Sequence, residues 1–357
     1  MAESPDPARR SGEPGFVKRS TITIHDVAAH AGVSSMTVSR VMNDQKYVSA
    51  AMRDKVKAAI AELNYSPNLT ARSLSASVRL GVLYSNPRSS NLGDFLMGAF
   101  RQAGTSGAQL LIEPGSGDVH ELAGIERILA TGIDGVILPP PLCDSDMVSE
   151  LLAEAGVIAL AFATAAPRAA MSAVSVDDFY GAQLMTRHLI EYGHRDIGFV
   201  RGDPQHSPSH RREEGFRAAM AEADLAVPAE RVVDGMFTYR SGIEAARQLL
   251  DGPTRPTAVF ASNDEMAAAV SAVAQGKGLR IPDDLSIGGF DDAPVASTVW
   301  PELTTIRQPM GDMAAMAVML LSDQVRRARA GEVVEIIHQV IDVSLVARQS
   351  VAAPAGQ

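Results

Sequence analysis

Cysteine is almost missing: Cys143 is the only one in 357 residues. One thiol excludes an internal disulfide framework and any structural zinc site built on several thiolates. Long apolar runs are missing too. No stretch reaches the ~18 to 20 residues a membrane span needs, and the opening MAESPDPARRSGEPGF has no apolar signal-peptide core. A cytoplasmic protein with no membrane partner is expected. Neither the P-loop nor the strand-linked dinucleotide glycine pattern occurs, and there is no GxSxG elbow for a hydrolytic serine. What is present is a soluble globular composition, long enough for two or three domains with a sizeable core.

Positive charge is in deficit overall, and a net charge of −10 taken whole disfavours a nucleic-acid partner. Its distribution reverses that inference. Through Ser77 there are ten Lys or Arg against seven acids, a net +3, which leaves 22 against 35, a net −13, for the remainder. A small basic head therefore precedes a large acidic body.

Residues 1–20 are rich in Pro, Gly, Ser and charge and are expected to form a disordered arm. Thr23 then offers a helix N-cap with Asp26 in the capping-box position, and Gly32 closes that helix. Ser34 is a second N-cap, and Met36 to Met42 continues helically to Asn43. A third helix follows Ser49, with Met52, Val56, Ala59, Ile60 and Leu63 on one face. Beyond Leu80, strands alternate with helices: 81–84, 109–112, 135–138 and 157–161, then 197–200, 231–233, 258–261 and 285–287. Such alternation predicts parallel sheets covered by helices, here in two similar doubly wound halves with a ligand cleft between them.

Two helices joined through Gly32-Val33 can place the second in a DNA major groove. The hydroxyls of Ser34, Thr37 and Ser39 and the amide of Asn43 suit phosphate oxygens, which position a helix without choosing sequence. Ser35, Met36 and Arg40 are the candidate readers. Arg40 has the fork for guanine O6 and N7, and Met36 the apolar surface for a thymine methyl. A glycine-turned helix pair alone fits a plain helical subdomain as well.

In the body, Asp177-Asp178, Asp283-Asp284 and Asp291-Asp292 suggest paired-carboxylate chemistry, but adjacent side chains diverge and turns and caps favour Asp. His206 and His210 have helical metal-ligand spacing. Pro208 between them makes a regular helix improbable, so no metal is expected. Asn263-Asp264 and Asp291 follow strands and point to a cleft, Arg212 opens the helix 213–220 with a guanidinium suited to hydroxyls or carboxylate, and Phe237 offers a stacking face. Capping or core packing accounts for each of these equally well when taken singly.

The stretch from Thr23 through Asn43, with Val48-Ser49, Lys55-Val56 and Glu62 to Asn68, resembles the head of the lac repressor (LacI/GalR) family of bacterial transcription regulators, and the resemblance runs from about Thr21 to Ala347. It implies an α/β chain: an N-terminal helix-turn-helix head and a two-lobed, periplasmic-binding-protein-like, doubly wound body. The expected divisions are an arm 1–20, a DNA-binding domain 21–65, a hinge 66–78, an effector-binding and dimerisation body 79–350 and a tail 351–357. Thr23, Tyr47, Ser49 and Asn68 complete the expected DNA-facing set. The hinge is implied to become a helix on DNA, with Leu74 wedged into the minor groove and Ala71 and Arg72 as the flanking residues that enter it. In the body the resemblance implies effector contacts from Arg212, Asn263, Asp291 and Phe237, from Ser85, Ser89 and their neighbours Asn86, Ser90 and Asn91, and from Tyr180.

The implied protein is a transcription regulator acting as a repressor, not an enzyme. Its partners are double-stranded operator DNA, a small-molecule effector and a second copy of itself, and it carries no cofactor. A sugar or glycoside leads as effector, with a purine or an acidic metabolite as alternatives. The tail has no leucine heptad, so a homodimer is expected rather than a four-chain bundle. Two other classes compete: a solute-binding receptor, which shares the two-lobed body but lacks the head, and a sugar-active enzyme, which turns its ligand over.

Overall fold

The computed structural model describes residues 24–34, 37–38, 41, 50–63, 77–84, 90–114 and 121–354. The chain divides into two compact units at the Ala76–Ser77 junction.

In the first unit, α1 (Ile24–Ala31) and α2 (Ala50–Glu62) bury one apolar stripe each. Val27, Ala28 and Ala31 meet Val38, Val41, Val56 and Ala59. Gly32 ends α1 at φ +60, the left-handed conformation that suits glycine, and Val33 N–H bonds back to the Ala28 carbonyl at 3.0 Å. Ser34 caps the next turn as its type predicts, accepting the Thr37 N–H on its hydroxyl at 3.2 Å. Met52, expected on the buried face, is 37% exposed. The seam is carried by Val56 and Ala59, with Ile60 and Leu63 packed against it.

The second unit has two lobes. The first opens with β1 (Val78–Tyr84), α3 (Leu92–Ser106), β2 (Ala108–Pro114), α4 (Glu121–Ala130), β3 (Gly135–Leu138), α5 (Asp146–Glu154), β4 (Ile158–Phe162) and β5 (Ser172–Val176). The second comprises α6 (Asp178–Glu191), β6 (Ile197–Val200), α7 (Ser207–Glu222), β7 (Val232–Val233), α8 (Tyr239–Leu250), β8 (Ala258–Ala261), α9 (Asp264–Gly276), β9 (Ser286–Gly288), α10 (Val295–Thr298) and β10 (Thr305–Arg307). The chain then returns to the first lobe for α11 (Met310–Arg329) and β11 (His338–Ile341), and crosses once more to β12 (Ser344–Val346).

Both main sheets are wholly parallel. Their orders are β11-β5-β4-β3-β1-β2 and β7-β6-β8-β9, while β10 and β12 pair antiparallel. Central strands are buried on both faces, which is why they read as near-continuous apolar runs. In the first sheet Val82, Ile137 and Leu160 face the cluster containing Phe95, Ala99 and Met313, whereas Leu83, Val136 and Ala161 face Ile125, Ile128 and Leu152. Helices α3 and α11 therefore cover one face, and α4 and α5 the other. Cys143 lies in this second layer, where burial raises its thiol pKa and its Sγ–H points to Asp144 at 3.6 Å.

The eight expected strands are present, and β5, β10, β11 and β12 are additional. The lobes are consequently not successive halves of the sequence. Three crossings join them, after β5, between β10 and α11, and between β11 and β12. Near the carboxyl end Val351 is buried, and the Ala352 carbonyl bonds His194 Nε2 at 2.9 Å and accepts the Ser286 hydroxyl at 3.1 Å.

Candidate effector site

A cavity of about 230 Å³ lies where the carboxyl ends of the strands of both lobes converge, the place where open parallel sheets hold ligands. The first lobe lines it with Val82, Leu83, Leu92, Phe95, Ile137, Pro139, Pro140 and Phe162, and with Tyr84 and Asn91 as its polar contributions. The second lobe supplies His206, Arg212, Phe237, Asn263 and Asp291, and Gln308 and Met310 come from the crossing segment. One wall is apolar and the opposite wall carries the polar groups.

Arg212 is the electrostatic centre of the polar wall. It lies in the second turn of α7, which starts at Ser207 and so begins earlier than its sequence suggests. Pro208 sits in the first turn, where a missing N–H costs nothing, and the expectation that it would prevent a helix here is thereby corrected. The Arg212 side chain is buried. Its Nε donates to Asp178 Oδ1 at 2.7 Å, and its Nη1 donates to the Ser262 carbonyl and, at 3.5 Å, to Asp291 Oδ1. The guanidinium also lies 3.7 Å from the Phe290 ring centroid.

Asp291 follows β9 with φ +118, a strained conformation for any residue but glycine. Three elements hold it there. Its N–H bonds the Ile306 carbonyl at 2.7 Å, Gln308 Nε2 donates to Oδ1, and Asn91 Nδ2 donates to Oδ2 at 2.9 Å from the other lobe. A second cross-cleft link joins Ser90, through its N–H and hydroxyl, to Glu265 Oε1, each at 3.0 Å.

Asn263 caps α9, accepting the Met266 N–H at 3.0 Å, and its amide donates to the Phe237 carbonyl at 3.0 Å. It thus fixes the Phe237 loop as well as lining the cavity. The Phe237 ring lies against Gly202, where a Cβ would come within 2.0 Å of a ring carbon, so only glycine lets the ring occupy this place.

Burial raises the pKa of Asp178 and Asp291, and the neighbouring Arg212 opposes the rise in both. Asp264 is pushed well above the ordinary carboxylate range by burial and then by Asp291, although the Thr305 hydroxyl and the Ala293 N–H donate to it at 2.6 and 2.8 Å. Burial lowers the His206 pKa against the pull of Asp203 and Asp144. A carboxyl raised in the folded state binds a proton there that the unfolded chain releases, so between the two pKa values stability falls as pH rises. Asp264→Asn is expected to remove its share of that fall, up to about 1.4 kcal/mol per pH unit for one proton. Urea unfolding of both proteins across pH 4 to 8 measures it, and parallel curves would show that Asp264 does not titrate in this window.

Among the predicted effector residues, Arg212, Phe237, Asn263 and Asp291 come together in the cavity wall. Tyr180 does not. It is 46% exposed, its N–H donates to the Asp177 cap, and the cavity wall does not include it. Of the acid pairs, Asp177 caps α6 as expected, but Asp178 holds Arg212. His206 and Gln308 are additions to the cavity wall, and buried Asp178 supports it through Arg212. His210 turns instead to the Pro204 carbonyl at 2.8 Å, so the two imidazoles have separate partners. Of the DNA-facing set, Ser34 and Thr37 are described, their hydroxyls 2.9 Å apart. Thr23, Ser35, Met36, Ser39, Arg40, Asn43, Tyr47, Ser49, Asn68, Ala71, Arg72 and Leu74 lie outside the described residues, as do Ser85 and Ser89.

The fold and this cleft define a two-lobed ligand-binding body of the periplasmic-binding-protein kind, and residues 186–351 match the family model for a periplasmic binding protein-like domain. Residues 23–68 match the model for bacterial regulatory proteins of the lacI family. The ribose operon repressor of Escherichia coli (strain K12) is 35% identical over 305 residues, spanning 84% of this chain and 92% of its own. The HTH-type transcriptional repressor PurR of Photobacterium profundum is 33% identical over 308 residues, spanning 85% of this chain and 92% of its own. Among solved structures, the lac repressor dimer bound to operator and an anti-inducer aligns with a TM-score of 0.76 at 29% identity, over 93% of this chain and 99% of that one. A cellobiose complex of the regulator CelR aligns at 0.71 and 31% identity, over 92% and 99%. The chain belongs to the LacI family: it is a DNA-binding transcriptional repressor controlled by a small molecule, not an enzyme. No helix among the described residues is long and apolar enough to cross a membrane.

Proposed function

We propose that the protein is a cytoplasmic homodimer that binds operator DNA through its head and hinge and responds to a neutral sugar or glycoside held between its lobes. Asp291 is the observation that carries the effector class. It is a carboxylate in the cleft wall, oriented by donors from both lobes, with acceptor capacity for a ligand hydroxyl. The apolar wall opposite suits the face of a sugar ring or an attached apolar group. Arg212 in the cavity wall already donates to Asp178 and Asp291, so its charge is balanced before a ligand arrives. That balance weighs against an acidic metabolite. The sugars in the names of the ribose operon repressor and the cellobiose complex support the same class.

For the dimer, α3 presents Met97 and Phe100, 70% and 51% exposed, three residues apart on one helix face. In the head, Ser34 to Asn43 enter the major groove and Leu74 wedges the minor groove.

The test is thermal denaturation of the full-length protein with D-ribose, cellobiose, an aryl glucoside, hypoxanthine and citrate. A neutral sugar or glycoside is expected to raise the melting temperature. The stabilisation is about 2.7 kcal/mol at one hundred times its Kd. Stabilisation by hypoxanthine or citrate alone would overturn the effector class.

A further inference from the structure

We propose that an arginine cluster on the body, at the end of the first lobe opposite the effector cavity, contacts the phosphate backbone of the same DNA the head reads. The proposal rests on the DNA-binding assignment and extends it to a surface outside the head.

The carboxyl ends of the first sheet line the cavity; its amino ends gather guanidinium groups. Arg79 lies at the start of β1, donating from Nη1 to the Gly132 carbonyl at 3.2 Å, while its backbone N–H bonds Asp134 at 2.7 Å. Arg329, at the end of α11, pairs with Asp134 at 2.6 Å and reaches the Ser77 carbonyl at 3.4 Å. Arg326 on the same helix end bonds the Ser106 carbonyl, which closes α3 just before β2. Arg327 pairs with Asp323 at 3.0 Å. Four guanidiniums on this edge have two carboxylates, Asp134 and Asp323, as partners, and the exposed Glu332 follows on the same helix end, its N–H bonding the Arg327 carbonyl at 3.0 Å, within a body whose net charge is −13.

Their anchors do not exhaust them. A guanidinium has five N–H donors in a fork that matches phosphate oxygens, and each of these spends one or two. Complementing the α11 carbonyl end accounts for Arg326, Arg327 and Arg329 in part, but not for Arg79. Acidity further off on the body is screened beyond the Debye length of about 10 Å at 0.1 M salt, so the groups on this edge govern what approaches it.

Covalent continuity selects the partner. Ser77, bonded by Arg329, is where the chain enters the body, and eight residues separate it from the end of the matched DNA-binding segment at residue 68. Even fully extended, that link spans only about 30 Å. A link this short raises the effective concentration of head-bound DNA at the edge where the chain enters the body. This also answers the head's small charge of +3, because the body supplies part of the phosphate contact the head lacks.

The experiment uses full-length protein and a duplex recovered by selection from a randomised library. Its Kd is followed by fluorescence anisotropy from 50 to 200 mM KCl. Each phosphate contact contributes about 0.9 to the slope of log K against log salt. In a dimer, Arg326→Gln and Arg327→Gln are each expected to flatten the slope by about 1.8, with sequence preference retained, and Arg326→Lys is expected to keep it. An unchanged slope in the double variant, with a wild-type melting temperature, would overturn the proposal, whether the cluster then serves an acidic protein or none. Failure of the head assignment looks different: there the protein loses discrimination between the selected duplex and a scrambled one.

Discussion

Arg212→Met is expected to destabilise the body by about 3–5 kcal/mol at neutral pH, the cost typical of leaving buried charge without its partner. Methionine fills much of the aliphatic volume and keeps an apolar contact with Phe290, so the loss is electrostatic rather than steric. What is left behind is Asp178 and Asp291, both buried and both donated to by Arg212 in the intact protein, with Asp264 beside them. The Ser262 carbonyl loses its donor as well. The pH dependence distinguishes this from a packing defect. Without the guanidinium the carboxyls rise further in pKa, the folded state takes up protons on acidification, and the deficit shrinks as pH falls. Urea unfolding at pH 7.5 and pH 5 reads both the size and the trend. A deficit below about 1 kcal/mol, or one independent of pH, would contradict a charge-balanced cleft. A second substitution, Asp178→Leu in the Arg212→Met background, should recover part of the loss, because it removes one of the stranded charges and the two sites share a bond.

That same cluster marks the boundary of what local sequence conveys. Asn263 and Asp291 stand after strand ends, the places where doubly wound sheets put ligand-binding groups, and it was the family resemblance that singled them out together with Arg212, which lies in the second turn of α7. Asp178 was legible only as a cap. Its neighbour Asp177 does cap α6, and nothing nearby indicates that the next carboxylate turns inward to an arginine 34 residues on. Gln308 and Asn91 reach Asp291 over separations of 17 and 200 residues, which only the lobe crossings bring about. The strands show the same division. Those with continuous apolar runs declared themselves, whereas β5, Ser172-Ala-Val-Ser-Val176, is buried along its whole length yet carries two serines, one of which receives Gln324 Nε2 and Ile337 N–H. Strand β11 is exposed along most of its length at the sheet edge and has no burial pattern to read. Tyr180 lies away from the cavity wall for a related reason: its position on α6 is set by the Asp177 cap, and the residue is 46% exposed.

Asp291→Asn is expected to move stability and effector affinity in opposite directions. The amide has the shape of the carboxylate, and its oxygen can accept the Gln308 amide. Its nitrogen then faces Asn91, whose own amide can turn to present oxygen, so both orienting bonds survive. One buried negative charge disappears from beside Asp178 and Asp264. Burial and Asp291 are the two leading causes of the raised Asp264 pKa, so that group returns part of the way towards its ordinary range, and stability above neutral pH increases. Arg212 keeps Asp178 and the Ser262 carbonyl and is not orphaned. Affinity goes the other way, because a hydroxyl bonded to a charged acceptor is worth about 1.5–3 kcal/mol, and exchanging it for a neutral one that is already engaged forfeits most of that. A loss of roughly 10- to 150-fold in Kd follows, measured by calorimetry with the neutral sugar that stabilises the wild-type protein. Because neither the head nor the arginine edge is touched, binding to the selected duplex without effector should stay at the wild-type level while its response to effector weakens. Unaltered sugar affinity in a variant that is nonetheless more stable would leave Asp291 as a strained structural residue and would shift hydroxyl recognition to Asn263 and Arg212.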